Sequence, residues 1–157
     1  MDDKIVVKRI EDGPAVLKSE YGDFDYKKVE IASREDFSQV YICFYEIKPG
    51  KTAYPRHYHE NNTECFYIIS GEGVVKTLGD DISVRAGDAV VFPPGKEGEH
   101  KLINTGKDEI LRYIDFDTSI LPDVIRYPDS GKVGVKEKNR DAIYFIEEEN
   151  VDYYTGE

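Results

Sequence analysis

The chain contains three histidines, and their positions predict one metal site. His57 and His59 are two residues apart, so on an extended strand both imidazoles point to the same side. The short polar run 60–63 lets the chain reverse before Glu64, which can bring a carboxylate back beside the imidazoles. His100 must arrive from a distant strand. Three imidazoles and one carboxylate suit zinc, iron, nickel, manganese or copper, with positions left open for water or substrate.

These ligand assignments have alternatives. A lone histidine in a strand is more often a hydrogen-bonded core residue than a ligand, and only the combination of all four residues favours a metal. Glu64 can also serve as the hydrogen-bond partner of a ligand or as a general base. The ligand set does not fix the metal, because affinity order favours copper and zinc whereas availability decides in a cell.

Strand signals dominate from about residue 37 onward. The segment 37–50 is rich in Val, Ile, Tyr and Phe with period-two character and stops at a Pro-Gly turn. The segment 64–95 continues with short β-prone runs separated by glycines. No window in this region holds a helical apolar stripe with proper caps. Many short strands in one domain indicate an all-β sandwich or closed barrel.

Length and charge limit the possible functions. The 157 residues are enough for one domain with a proper core and too few for two ordinary ones. A formal net charge of −11 argues against nucleic acid and anionic membranes as partners. The first residues lack the pattern of a secretory signal, and no stretch approaches the length of a membrane span, so we expect a cytoplasmic protein. Cys43 and Cys65 are expected to be small buried hydrophobes.

The motif spacing resembles that of the cupin superfamily. Its first motif is matched by Gly50, His57, His59, Glu64 and Gly71, and its second by Gly87, Pro93, Gly95, His100 and Asn104. The spacer after Gly50 is one residue longer than usual, and the gap between Gly95 and His100 is four residues where two are common. The segment 126–135 is similar to a tail of small single-domain cupins, or monocupins.

This resemblance implies an all-β, RmlC-like double-stranded β-helix, the cupin jelly-roll barrel, with the metal near its mouth. We predict a single cupin domain over residues 1–157. Its barrel core spans about 37–117, with an N-terminal arm, 1–36, and a C-terminal extension, 118–157. A homodimer is expected, since jelly-roll domains leave sheet edges and an apolar outer face that pairing would cover.

Strand parity predicts which side chains share the metal-facing side. If Glu64 points inward, Phe66 points inward as well, and the same step from His100 places Leu102 inward. Phe66 and Leu102 are candidates for an apolar wall against the substrate, with ordinary core packing as the alternative. Tyr113 is a third candidate, although either face of its strand could be the inner one. Further candidates for substrate contact are Tyr45, Tyr54, Arg56 and Arg112, of which Arg56 is expected to point away from the site.

A metal held in this way can polarise a carbonyl or enolate, lower the pKa of bound water, or, if iron or copper, bind dioxygen. The resemblance disfavours cupins that need a HxD pair, that lack the carboxylate ligand or that work without metal. It leaves dioxygenases, decarboxylases and isomerases or lyases. We therefore predict a metal-dependent oxidoreductase or isomerase/lyase that acts on a small oxygenated organic molecule. The alternative is a noncatalytic module that binds or senses a sugar or organic acid through the metal.

Overall fold

The computed structural model describes residues 5–11, 15–34 and 37–156. Within these ranges the chain forms thirteen strands and two 3₁₀ turns, and no α-helix. The strands are β1 (Ala15–Tyr21), β2 (Phe24–Ala32), β3 (Val40–Ile47), β4 (Tyr58–His59), β5 (Glu64–Ser70), β6 (Glu72–Thr77), β7 (Ile82–Arg85), β8 (Ala89–Phe92), β9 (His100–Asn104), β10 (Leu111–Thr118), β11 (Asp123–Tyr127), β12 (Lys132–Lys136) and β13 (Ile143–Ile146). The 3₁₀ turns are Lys96–Gly98 and Glu147–Glu149. The described ranges contain no helix with the length and hydropathy to cross a membrane.

One layer of the fold is a six-stranded sheet in the order β1-β2-β3-β10-β5-β8. Its pairings are all antiparallel, and β10 lies between β3 and β5. The first two strands extend the sheet beyond β3, so part of the N-terminal arm continues this layer.

The opposite layer consists of two shorter sheets that meet at the histidines. One has the order β13-β12-β11-β4 and the other the order β7-β6-β9. An antiparallel bridge between His57 and His100 joins them. In this bridge the backbone N–H of each histidine donates to the carbonyl of the other, at 3.0 and 2.9 Å. The two facing layers confirm the predicted all-β jelly-roll fold.

Side-chain alternation places the core between the layers. On β5 the side chains of Glu64, Phe66 and Ile68 are buried, while Tyr67 is exposed. On β10 the buried face is the one that contains Tyr113, which settles the orientation that the sequence left open. The core is largely aromatic and branched aliphatic, as pleated strands favour.

Two local features differ from a simple strand pattern. Both cysteines are free thiols, but only Cys43 is buried; Cys65 is partly exposed, so the expectation of two buried cysteines was wrong for Cys65. The reason is that side chains on β5 alternate between the two faces, and Cys65 follows the inward-pointing Glu64.

Gly71, in the turn after β5, has φ +83°, and a Cβ there would lie 2.9 Å from the Cα of Leu111. This close approach excludes any larger residue.

Candidate metal centre

The four predicted ligands come from both layers and meet at one end of the barrel. His57 directly precedes β4, His59 ends it, and His100 begins β9 beside them. Glu64 begins β5 in the opposite layer. All four side chains are buried. The site therefore lies where the two layers face each other.

Glu64 lies at the centre of this group. Its Oε2 atom is 3.6 Å from Nε2 of His57, 3.7 Å from Nε2 of His59 and 3.1 Å from Nε2 of His100. Potential ligand atoms of His57, His59 and Glu64 all lie within 4.8 Å of one another. His100 does not join that mutually close set, although its ring is 4.7 Å from the ring of His57, centroid to centroid. Ligand atoms of His57, His59 and Glu64 are thus arranged around one point, and Nε2 of His100 lies against the Glu64 carboxylate.

Each imidazole is oriented by a hydrogen bond at Nδ1. That of His57 lies 2.9 Å from the carbonyl oxygen of Pro55, and that of His100 lies 2.8 Å from the carbonyl oxygen of Gly98. Since a carbonyl oxygen only accepts, Nδ1 carries the proton in both rings and Nε2 keeps its lone pair. This is the arrangement in which metal-binding histidines are held.

His59 is oriented by a charged partner. Its Nδ1 lies 2.6 Å from Oδ2 of Asp123, the first residue of β11. This hydrogen bond outweighs the effect of burial and raises the pKa of His59, and it lowers the pKa of Asp123 in return. The carboxylate fixes the same tautomer as in the other two rings and makes Nε2 a stronger donor to a metal.

Two buried polar atoms at the centre have no hydrogen-bond partner among the described residues: Oε2 of Glu64 and Nε2 of His100. They are 3.1 Å apart, and because Nδ1 of His100 carries the proton, both atoms are acceptors. Buried polar atoms without partners are rare and costly, and a cation would satisfy both of these. The donor set and its orphaned atoms therefore fit a divalent transition metal.

The electrostatics of His57 and Glu64 favour the forms that a metal needs. Burial lowers the pKa of His57 to about 4, so its imidazole is neutral at physiological pH. Burial alone would raise the pKa of Glu64, but the nearby imidazoles, with His100 foremost, outweigh it and hold that pKa at about 2. Neutral imidazoles and an ionised carboxylate are the species that ligate metals.

A second pair of carboxyl groups lies beside Glu64. Asp115 and Asp117 on β10 are buried, and their carboxyl oxygens lie within 4.8 Å of each other and of Glu64. Burial, followed by the charge of Glu64, raises the pKa of Asp115 well above its usual range and that of Asp117 to about 7. Arg34 partly compensates the charge of Asp117, with its Nη2 3.5 Å from Oδ2 of Asp117. The site thus holds carboxyl groups that can carry protons at neutral pH.

A cavity of about 210 Å³ opens in front of His57, His59 and Glu64. The C-terminal strands form one wall of it, through Ile125 and Tyr127 of β11 and the more distant Tyr144. The ring of Tyr127 is stacked at 6.0 Å from that of His57, centroid to centroid. The C-terminal extension therefore shapes the approach to the site.

The three predicted substrate-binding residues lie elsewhere. Phe66, Leu102 and Tyr113 do not line this cavity; they line a much smaller one behind His57 and His100. Phe66 packs against both His100 and Tyr113, at centroid distances of 5.4 and 4.7 Å. The structure thus places them in the core that packs against His57 and His100.

The remaining candidates divide between the cavity and the outer surface. Tyr45 and Tyr54 line the cavity, and their hydroxyl groups are hydrogen-bonded at 2.6 Å. Arg56 points away from the site and forms an ion pair with the buried Glu99 at 2.5 Å. Arg112 forms an ion pair with Glu46 at 2.9 Å and does not line the cavity.

Sequence reasoning did not identify Asp123 or Tyr127. Both follow the predicted barrel core, in a segment whose prolines and glycines indicate turns. Strand alternation could have placed them on one face, since they are four residues apart, but the antiparallel pairing of β11 with β4 is visible only in the structure. Asp115 shares the face of Tyr113, and the sequence alone left open whether that face is the inner one.

Comparison with known proteins agrees with the geometry. Residues 43–117 match the family model described as a cupin domain. The oxalate-binding protein of Thermotoga maritima is 29% identical over 90 residues, which cover 57% of this chain and 73% of the relative.

Solved structures show the same fold. A sugar phosphate isomerase of the cupin superfamily from Silicibacter pomeroyi has a TM-score of 0.77 at 17% identity and covers 90% of this chain and 92% of its own. A protein from Thermotoga maritima described as a predicted oxalate decarboxylase has a TM-score of 0.63 at 23% identity, with 74% and 100% covered. At these identities the likeness concerns the fold alone. Together with the matched family model and the motif residues, it shows that this chain contains a cupin domain over residues 43–117.

Proposed function

We propose that this cupin is a metal-dependent enzyme that acts on a small oxygenated organic molecule. His57, His59, Glu64 and His100 would hold a divalent transition metal. One observation carries the proposal: three imidazoles fix their Nδ1 protons outward and direct Nε2 toward a buried carboxylate oxygen that has no partner. The group faces a cavity, as a catalytic rather than a closed structural site requires.

The size of the cavity indicates the size of the substrate. Its 210 Å³ would hold about seven water-sized groups, so a compact molecule with few heavy atoms fits. When bound, the metal would supply Lewis acidity toward a substrate oxygen. The aromatic rings of Tyr54 and Tyr127 also line the cavity, and they would orient the carbon skeleton and exclude water.

Proton transfer would be assigned to the chain's own carboxyl groups. Burial keeps the pKa of Asp117 at about 7, which suits a group that must both give and accept a proton near neutral pH. Asp117 lines the cavity, so its carboxyl faces the space a substrate would occupy. Asp115 lines it as well and would be predominantly protonated.

The test is turnover by protein loaded with zinc, iron, nickel or manganese, measured against keto acids, catechols, flavonols and phosphorylated and free sugars. We expect consumption of one class, lost in Glu64→Gln, which keeps the side-chain shape but removes the charge. Glu46→Gln is the matched control, because Glu46 is on the outer side of β3 and pairs with Arg112. Inertness of every class with metal demonstrably bound would overturn the enzymatic assignment.

A noncatalytic binding or sensing module is the second candidate. It is favoured by the curated relative from Thermotoga maritima, which is named for binding oxalate. A ligand that raises the melting temperature of the metal-loaded protein and is recovered unchanged would support this function.

The setting of the protein is also proposed. We infer a cytoplasmic homodimer that binds neither nucleic acid nor membranes. The net charge of −11 argues against nucleic acid and anionic membrane surfaces as partners. The exposed apolar residues of β13 and of β1 lie on edge strands, which a second copy could cover. Light scattering that shows a monomer would contradict the dimer.

A further inference from the structure

Three cationic side chains line the cavity at a distance from the ligands' own strands. Lys28 lies on β2, Arg34 follows β2, and Lys136 ends β12. All three line the same 210 Å³ cavity as His57, His59 and Glu64. In a chain with 32 acidic and 21 basic residues, a group of three cations facing one cavity is unexpected.

The group is held together around one aromatic ring. Lys28 Nζ lies 4.9 Å from the ring centroid of Tyr41 and donates a hydrogen bond to its hydroxyl oxygen. Arg34 Cζ lies 4.5 Å from the same centroid. Cation–π contacts of this kind fix both charges without neutralising either.

Lys136 is brought to the group by strand pairing. It is the direct cross-strand partner of Asp123 on β11, so its side chain leaves the sheet on the same side as the carboxylate that orients His59. Burial lowers the pKa of Lys136, and the charges of Arg34 and Lys28 lower it further, whereas those of Glu30 and Asp123 raise it. Like charges placed together cost free energy unless an anion compensates them.

Compensation within the protein is incomplete. Asp117 is the ion-pair partner of Arg34. Within ranges 5–11, 15–34 and 37–156, neither Lys28 nor Lys136 has a carboxylate oxygen within 4.0 Å of its ammonium nitrogen. A larger neighbouring cavity of about 590 Å³ is also lined by Arg34, Tyr41 and Lys136. These three side chains therefore stand between the outer cavity and the candidate metal centre.

We propose that Lys28, Arg34 and Lys136 form an anion subsite, so that the substrate or ligand carries a carboxylate or phosphate group a few atoms from the oxygen that approaches the metal centre. This inference rests on the proposed function, because it assigns the substrate class of the same cavity. The two ammonium groups suit a compact anion as point charges, and Arg34 adds a third positive charge.

The subsite is tested by calorimetric titration of inorganic phosphate and of succinate into zinc-loaded protein from which excess zinc has been removed. Ethylene glycol is the neutral comparison. Lys136→Met and Lys28→Met remove one charge each and keep the aliphatic stem. Lys138→Met is the matched control, since Lys138 lines the outer cavity but not the metal-facing one. We expect each of the first two variants to weaken binding of at least one anion about tenfold, and the control to leave it unchanged. The affinity of the wild-type protein should also fall with added salt.

The pattern of loss distinguishes the two anion types. If only phosphate binding depends on the lysines, the substrate is a phosphate ester; if only succinate binding does, it is a carboxylate. Equal affinities in wild type and in both lysine variants would overturn the subsite, as would no binding of either anion by wild type up to about 10 mM. The same titrations on metal-free protein separate the two proposals. If the protein binds no zinc but its anion affinity still depends on the two lysines, the metal centre alone is overturned. If the protein binds zinc but its anion affinity does not depend on the lysines, the subsite alone is overturned.

Discussion

Replacement of Asp123 by asparagine should weaken metal binding without unfolding the protein. The Asp123 carboxylate accepts the Nδ1 proton of His59 at 2.6 Å and is only 1% exposed. Its other oxygen, Oδ1, lies 3.4 Å from the backbone N–H of Asn61. Both oxygens therefore face donors.

An asparagine amide cannot satisfy both contacts. If its oxygen faces His59, its NH₂ group opposes the N–H of Asn61, and the charge that strengthens the His59 donor is lost. If its NH₂ group faces His59, Nδ1 must accept and the proton moves to Nε2, which then cannot bind a metal. Loss of such a carboxylate typically costs 10- to 100-fold in metal affinity, or about 1.4–2.7 kcal/mol.

The assay is competition for zinc between the protein and a chromophoric chelator, with the melting temperature of the metal-free protein measured in parallel. Asp81→Asn is the matched control, because Asp81 pairs with Lys76 at the exposed end of another hairpin, away from the site. We expect the Asp123→Asn dissociation constant to rise at least about tenfold and that of Asp81→Asn to stay within about twofold. An Asp123→Asn protein that is folded and binds zinc like the wild type would refute the assignment of Asp123 as the residue that sets the His59 tautomer.

The other predictions concern the same site. Gly98→Ala should lower both the melting temperature and the zinc affinity. The added Cβ would lie 1.9 Å from the carbonyl oxygen of Pro93, and relief of this clash would displace the carbonyl of residue 98 that orients His100. An unchanged melting temperature together with an unchanged zinc affinity would contradict this. Because burial lowers the pKa of His57 from 6.5 to about 4, the unfolded chain binds the extra proton first. As pH falls from 6.5 to about 4, the metal-free wild type should therefore lose stability relative to His57→Gln by up to about 1.4 kcal/mol per pH unit, and the difference should not change above pH 6.5. Denaturant titrations in which the difference in unfolding free energy between the two proteins does not vary with pH would refute this. Zinc at 100 times its dissociation constant should stabilise the wild type by about 2.7 kcal/mol but leave the stability of His59→Ala unchanged. Equal zinc-induced shifts of the melting temperature in calorimetry of the two proteins would show that zinc binds elsewhere.

The sequence alone was sufficient for the fold class, the family and the set of four candidate ligands. These depend on local regularities: side chains two residues apart share a face of a strand, and glycine and proline mark the turns between short strands. The same parity placed Phe66 beside Glu64 on the inward side, as observed.

The tertiary structure decided how the site is completed. Parity placed Phe66 and Leu102 on the side of the ligands and left the orientation of Tyr113 open. Only the position of the cavity shows that all three lie behind the imidazoles rather than in front. Asp123, the charged partner of His59, is 64 residues away in sequence and reaches it through the pairing of β11 with β4. Such contacts follow from which strands pair across the whole chain, and a periodicity of two residues carries no information about that choice.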